Sequence, residues 1–251
     1  MLQACLNGGR NRDFHTAVPY TADELARDAA HVVAAGASEL HIHPRGPDGL
    51  ESLAPYDVGA AIRAVRESVP EVPIGLSTHW RIPPRGRARQ TPIEQWQDLP
   101  DYVSVNLIEE DAAEVMALVW SKGIGVEAGL WSVDDAERLI ALPDAQKCLR
   151  VLIEINEQDI DEGLAVAMGI VSVLERAKME LPILLHGDEA SVWPMFNLAL
   201  ARGYDGRIGL EDGRLLPEGK EAEDNADLVR AAAVLARGGD TILGTANEKG
   251  R

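Results

Sequence analysis

Two histidines stand two residues apart in the segment HIHPR, as His41 and His43. On a strand, side chains two apart share a face, so both imidazoles can reach one divalent cation. Far along the chain, RIGLEDG supplies Arg207, Glu211 and Asp212. Two imidazoles and a carboxylate suit zinc or another divalent metal and leave positions open for a substrate oxygen, so His41, His43 and Glu211 are the expected ligands. Other polar residues fall where strands are expected to end: Ser77 and Thr78, Ser104 and Asn106, Glu127, Glu154 and Asn156, and His186 in HGDE. Glu127 lies between Val126 and Ala128, where an unpaired charge is costly. A carboxylate in that setting has a raised pKa suited to proton transfer near neutrality, which makes Glu127 a candidate general base.

Residues so far apart can share a site only if the elements carrying them close on one another. Short apolar runs alternate with amphipathic stretches along the whole chain, the pattern of βα units around a parallel sheet. Strands are expected at residues 2–6, 39–43, 74–78, 102–107, 125–130, 149–155, 183–186 and 207–210. Helices are expected at 22–35, 56–68, 93–97, 111–121, 133–142, 160–178, 192–201 and 225–237. Thr21 with Glu24 reads as a capping box opening the first helix, and Gly36 closes it. Eight such pairs predict one (β/α)8 TIM barrel, a single α/β domain over residues 1–240, with a polar tail at 241–251. In a closed barrel strand eight neighbours strand one, which brings Glu211 toward the histidine pair. An open doubly wound sheet is disfavoured by that count and by the absence of G-x-G-x-x-G after strand one.

A net charge of -17, from 24 basic and 41 acidic residues, repels nucleic acid and anionic membrane. No apolar run approaches the roughly 18 residues that span a bilayer. The amino terminus reaches Arg10, Arg12 and Asp13 after a short apolar stretch, so neither export nor insertion is indicated. Cys5 and Cys148 fit no zinc or redox spacing and read as buried reduced thiols, in keeping with a cytoplasmic protein. An anionic ligand needs a local basic patch, and Arg81, Arg85, Arg87 and Arg89 crowd the loop RIPPRGRARQ.

AVPYTADELARDA, AAGASELHIHPRGPDG, LST after strand three, RIGLEDG and NADLV together resemble the β-keto acid cleavage enzymes, whose best-known activity is 3-keto-5-aminohexanoate cleavage. The resemblance runs over nearly the whole chain. It implies a zinc-dependent barrel and a transferase reaction, in which a β-keto acid condenses with acetyl-CoA and retro-Claisen cleavage releases acetoacetate and a new acyl-CoA. It places zinc on His41, His43 and Glu211, the catalytic arginine and aspartate at Arg207 and Asp212, an active-site serine at Ser77, a hydroxyl at Ser104 and a strand-five glutamate at Glu127. Whether Asp212 or Glu127 acts as base stays open. The CoA phosphates are expected on the arginine loop, at Arg85 and Arg87, and a homo-oligomer, commonly a tetramer, is implied.

The chain departs from the family pattern in two places. The first βα loop, usually bearing a glutamate, reads Gly8, Gly9 and Arg10, and an arginine there is expected to change which substrate end is tolerated. STHW replaces a glycine-rich turn, bringing His79 and Trp80 near the mouth. Two other readings compete: a metal-dependent hydrolase of the amidohydrolase type, and a non-catalytic barrel that binds metal and a metabolite. The first wants further histidines at the ends of strands five and six, and GVEAGL and VLIEIN offer none.

Overall fold

The computed structural model describes residues 1–246. Eight strands form a closed barrel in sequence order: β1 Leu2–Cys5, β2 Glu39–Ile42, β3 Ile74–Ser77, β4 Tyr102–Asn106, β5 Gly125–Leu130, β6 Arg150–Ile155, β7 Ile183–Gly187 and β8 Asp205–Ile208. Neighbours are parallel, and β8 pairs with β1, Arg207 opposite Gln3, to close the ring. Outside it lie α1 Ala22–Ala35, α2 Pro55–Ser68, α3 Gln90–Glu94, α4 Ala112–Ser121, α5 Val133–Ala141, α6 Ile160–Arg176, α7 Val192–Arg202 and α8 Asn225–Ala246. The (β/α)8 barrel read from the sequence is therefore the architecture found.

Local chemistry accounts for the elements. Thr21 accepts from the Glu24 N–H while the Glu24 carboxylate accepts from the Thr21 N–H at 3.0 Å, so the expected capping box forms. Such a cap contributes about 0.5–2 kcal/mol. Leu25, Ala29 and Val32 then recur on the buried face of α1. Most strands end within a residue of expectation, but β8 starts two residues earlier and stops at Ile208. Just past its end the chain passes close to β1: a Cβ on Gly209 would lie 1.9 Å from the Cys5 carbonyl oxygen, so only glycine fits there. Glu211 and Asp212 consequently sit in a turn beyond the strand. Helix α8 runs past its expected end to Ala246, and the rest of the expected tail, residues 247–251, lies outside the described residues.

The inward faces of the strands are unusually polar low in the barrel. Gln3 of β1 donates across the interior to Tyr102 Oη and to Glu127 Oε1, both at 2.9 Å. Arg150 of β6 pairs with Glu127 at 2.9 Å and reaches Glu39 on the opposite side. Tyr102 fits because β3 offers Gly75, where a Cβ would lie 2.0 Å from its ring. This network engages Glu127, whose expected raised pKa is found. Burial pushes its carboxyl up, but Arg150 and Gln3 pull it back, and it is sealed beneath the mouth at 0% exposure. Glu127 thus lies beneath the cavity and is not part of its lining.

Among the described residues, no helix is long and apolar enough to cross a membrane. Cys5 and Cys148 are free and buried, as expected.

Candidate active site

Above that polar layer, alternate residues of the strands open into a cavity of about 280 Å3 at the C-terminal mouth. His41 of β2 and His43 just past its end point the same way, Nε2 to Nε2 at 3.2 Å. Glu211 Oε1, brought in by the turn after β8, lies 3.3 Å from His43 Nε2 and 3.9 Å from His41 Nε2. The three ligating groups lie within 4.8 Å of one another. Their donors fit a divalent cation: two imidazole nitrogens meeting at 3.2 Å can place only one proton between them, and Glu211 Oε2 is buried with no hydrogen-bond partner among the described residues. Gly8 makes the close approach possible, since at φ +49° a Cβ there would lie 2.4 Å from Glu211 Cγ.

Charge balance in the cluster comes from Arg207. Its guanidinium donates to Glu211 Oε1 at 2.6 Å and to both oxygens of Asp212 at 3.1 and 3.3 Å. Burial is the largest influence and opposes ionisation of both acids, but Arg207, joined by His43 and His41 at Glu211 and by His186 at Asp212, holds both carboxyls below their usual range. Asp212 Oδ2 also accepts from the Cys5 thiol at 2.9 Å and stands 3.1 Å from His186 Nδ1. Burial and Asp212 together push the Cys5 thiol well up, so it serves as a neutral donor. Asp212 is thus enclosed by Arg207, Cys5 and His186 and, unlike Arg207, is not part of the cavity wall.

Ser77 and Ser104 do line the cavity, with Asn106, His79, Arg81, Trp131 and Glu154. Thr78 turns away and donates to the Ser104 carbonyl at 2.7 Å. His79 stacks on Trp131, centroids 6.0 Å apart and 17° from parallel; burial and then Arg81 push its imidazole down to about 4, so it is neutral near pH 7. Sequence reading passed over Glu51, whose carboxylate meets His43 Nδ1 at 2.5 Å. It sits in the loop after β2, between Leu50 and Ser52, and the short bridge between Arg45 and Glu51 folds it back.

Two expectations change. Arg10 does not point into the cavity in place of an acid: it donates to the Glu211 carbonyl at 2.9 Å and pairs with Asp188 and Glu189 at 2.7 and 3.0 Å, leaving Gly9 to face the cavity. The arginine loop also divides. Arg89 is fully buried against Glu109 and Asp111, and Arg87 pairs with Glu114 at 2.8 Å. Arg81 and Arg85, without an acid partner among the described residues, flank Trp80 at a second recess of about 480 Å3, which shares Arg81 with the first cavity.

Fold and site together define a (β/α)8-barrel protein with a small-molecule cavity built where barrel enzymes carry theirs, at the C-terminal ends of the strands. The family model of the beta-keto acid cleavage enzymes matches residues 1–161 and 164–248. The chain belongs to that family and is a carbon–carbon bond-cleaving enzyme. It is 26% identical over 240 residues to a 3-keto-5-aminohexanoate cleavage enzyme of Fusobacterium nucleatum subsp. nucleatum, covering 90% of this chain and 86% of that one. It is 24% identical to a 3-keto-5-aminohexanoate cleavage enzyme of Acetoanaerobium sticklandii, covering 88% and 85%. Among solved structures, the binary complex of ObcA with oxaloacetate matches with a TM-score of 0.69 at 18% identity, over 88% of this chain and 64% of that longer one, a likeness of fold.

Proposed function

We propose that the chain condenses a β-keto acid with acetyl-CoA and, by retro-Claisen cleavage, releases acetoacetate and a new acyl-CoA. The observation that carries this reading is the meeting of His41, His43 and Glu211 beside Arg207 in one cavity of a barrel of this family. His41, His43 and Glu211 would hold a divalent metal, zinc by donor type, which when bound supplies Lewis acidity to the keto and carboxylate oxygens. Arg207, already neutralised by Glu211 and Asp212, offers guanidinium donors to a substrate carboxylate at the same wall. Ser77 and Ser104 face the cavity with hydroxyls suited to a carbonyl oxygen. The role first given to Arg85 and Arg87, binding the CoA phosphates, passes to Arg81 and Arg85, the loop cations free of an acid.

The test is a panel of β-keto acids with acetyl-CoA in the zinc-loaded protein, following acetoacetate. Turnover of at least one acid, lost in His41→Ala together with the bound zinc, is the expected result. Silence across the panel at full zinc occupancy would support a barrel that binds metal and metabolite without turning it over.

A further inference from the structure

The acids around the cavity are not equivalent. Glu51 is taken up by His43, Glu211 by Arg207 and the histidines, and Asp212 is enclosed behind Arg207. Glu154 differs. It is the partly open member of β6, lines the cavity with 23% of its side chain exposed, and has as its nearest ion-pair partner His186 Nε2 at 3.7 Å, beyond hydrogen-bond distance. The other nitrogen of His186 faces Asp212 Oδ2 at 3.1 Å. A carboxylate that lines the cavity is thus backed by an imidazole and a second, buried carboxylate.

We propose that Glu154 is the general base that removes the C2 proton of the bound β-keto acid and later returns it, with His186 and Asp212 as positioning residues behind it. This rests on the acetyl-CoA condensation proposed above. In a barrel of eight strands β6 stands across from β2, so Glu154 faces His41 and His43 over the cavity. A β-keto acid whose two oxygen-bearing carbons turn toward β2 and β8 presents C2, the carbon between them, to the opposite wall. There the C2–H bond breaks, the proton passes to a Glu154 oxygen, and the electron pair forms the bond to the acetyl carbon as CoA thiolate leaves. Thiolate then adds to C3, the C2–C3 bond breaks with its pair on C2, and Glu154 gives the proton back to yield acetoacetate. No net proton is consumed.

The surroundings suit the task. Burial raises the Glu154 carboxyl, and His186 and Arg207 moderate the rise, while Asp212 and Glu211 add to it. Asp188, after β7, is the further acid coupled to it.

The experiment follows exchange of C2 hydrogen for deuterium by proton NMR without acetyl-CoA, alongside kcat and KM with it. Glu154→Gln should exchange at the rate of buffer alone and lose about 100- to 10,000-fold in kcat, with KM little changed and zinc retained. Glu154→Asp should recover part of both. In His186→Gln the acidic limb of the kcat/KM profile should move to higher pH, since the side chain that lowers the Glu154 carboxyl is gone. Wild-type exchange in Glu154→Gln, or a loss confined to KM, would overturn the proposal. A wild-type protein inactive toward every acid would overturn the condensation and this step together.

Discussion

Glu51 meets His43 Nδ1 at 2.5 Å, on the ring edge away from His41 and Glu211, so the imidazole is gripped from behind and aimed forward. Burial opposes ionisation of Glu51, yet His43 holds its carboxyl below the usual range. A carboxylate in that position fixes the tautomer that leaves Nε2 free for a metal. Glu51→Gln keeps the shape and loses the charge. Its zinc affinity, measured by chelator competition, should fall about 10- to 100-fold; equal affinity would reduce Glu51 to a packing role.

Glu127 is expected to matter for folding and not for chemistry. Glu127→Ala leaves Arg150 with less compensation in the barrel interior and should cost about 3–5 kcal/mol in urea unfolding, as broken buried pairs do. Glu127→Gln, which still offers an oxygen to Gln3 and Arg150, should be milder and keep kcat within a few fold. A kcat collapse in a stable Glu127→Gln protein would restore the base role that the sequence suggested.

The divided arginine loop makes a sharper test than its raw charge does. Reversing Arg81 and Arg85 to Glu should raise the acetyl-CoA KM roughly tenfold or more and weaken its dependence on salt, with zinc content unchanged. Arg87→Glu, which removes only an exposed pair with Glu114, should barely move KM. Equal effects at the three positions would remove the assignment.

Stability should carry a signature of Asp28. Burial raises its carboxyl to about 7 even though Asn225 donates to it at 2.7 Å. With the folded pKa above the unfolded one, the protonated form is favoured in the native state. This contribution is full below the unfolded value near 3.8 and is lost as pH rises through about 7. Asp28→Asn should therefore match the wild type near pH 4 and exceed it at pH 8 by up to about 4 kcal/mol, read from urea midpoints. A pH-independent difference would show that the titration of Asp28 is not the cause.

Much of this architecture was legible in the chain because it rests on local rules. The alternation of apolar strands with capped amphipathic helices predicts eight βα units, and H-x-H on a strand puts two imidazoles on one face whatever surrounds them. The closing of β8 on β1 follows from the count of strands, and with it the approach of Glu211. What the tertiary structure alone decided is which charges are already taken. Glu127 and Glu154 looked alike in sequence, each an acid between apolar neighbours on a strand. Glu127 is in register with Arg150, four residues before Glu154 on β6, and that step with the side chains reaching across the interior separates them, one beside Arg150 and the other open to the cavity. Arg10, Arg87 and Arg89 likewise looked free until Asp188, Glu114 and Asp111 came from distant segments to meet them. His43 gained Glu51 in the same way. Strand periodicity is a property of a few adjacent residues, whereas the partner of a buried charge is set by every segment that packs around it.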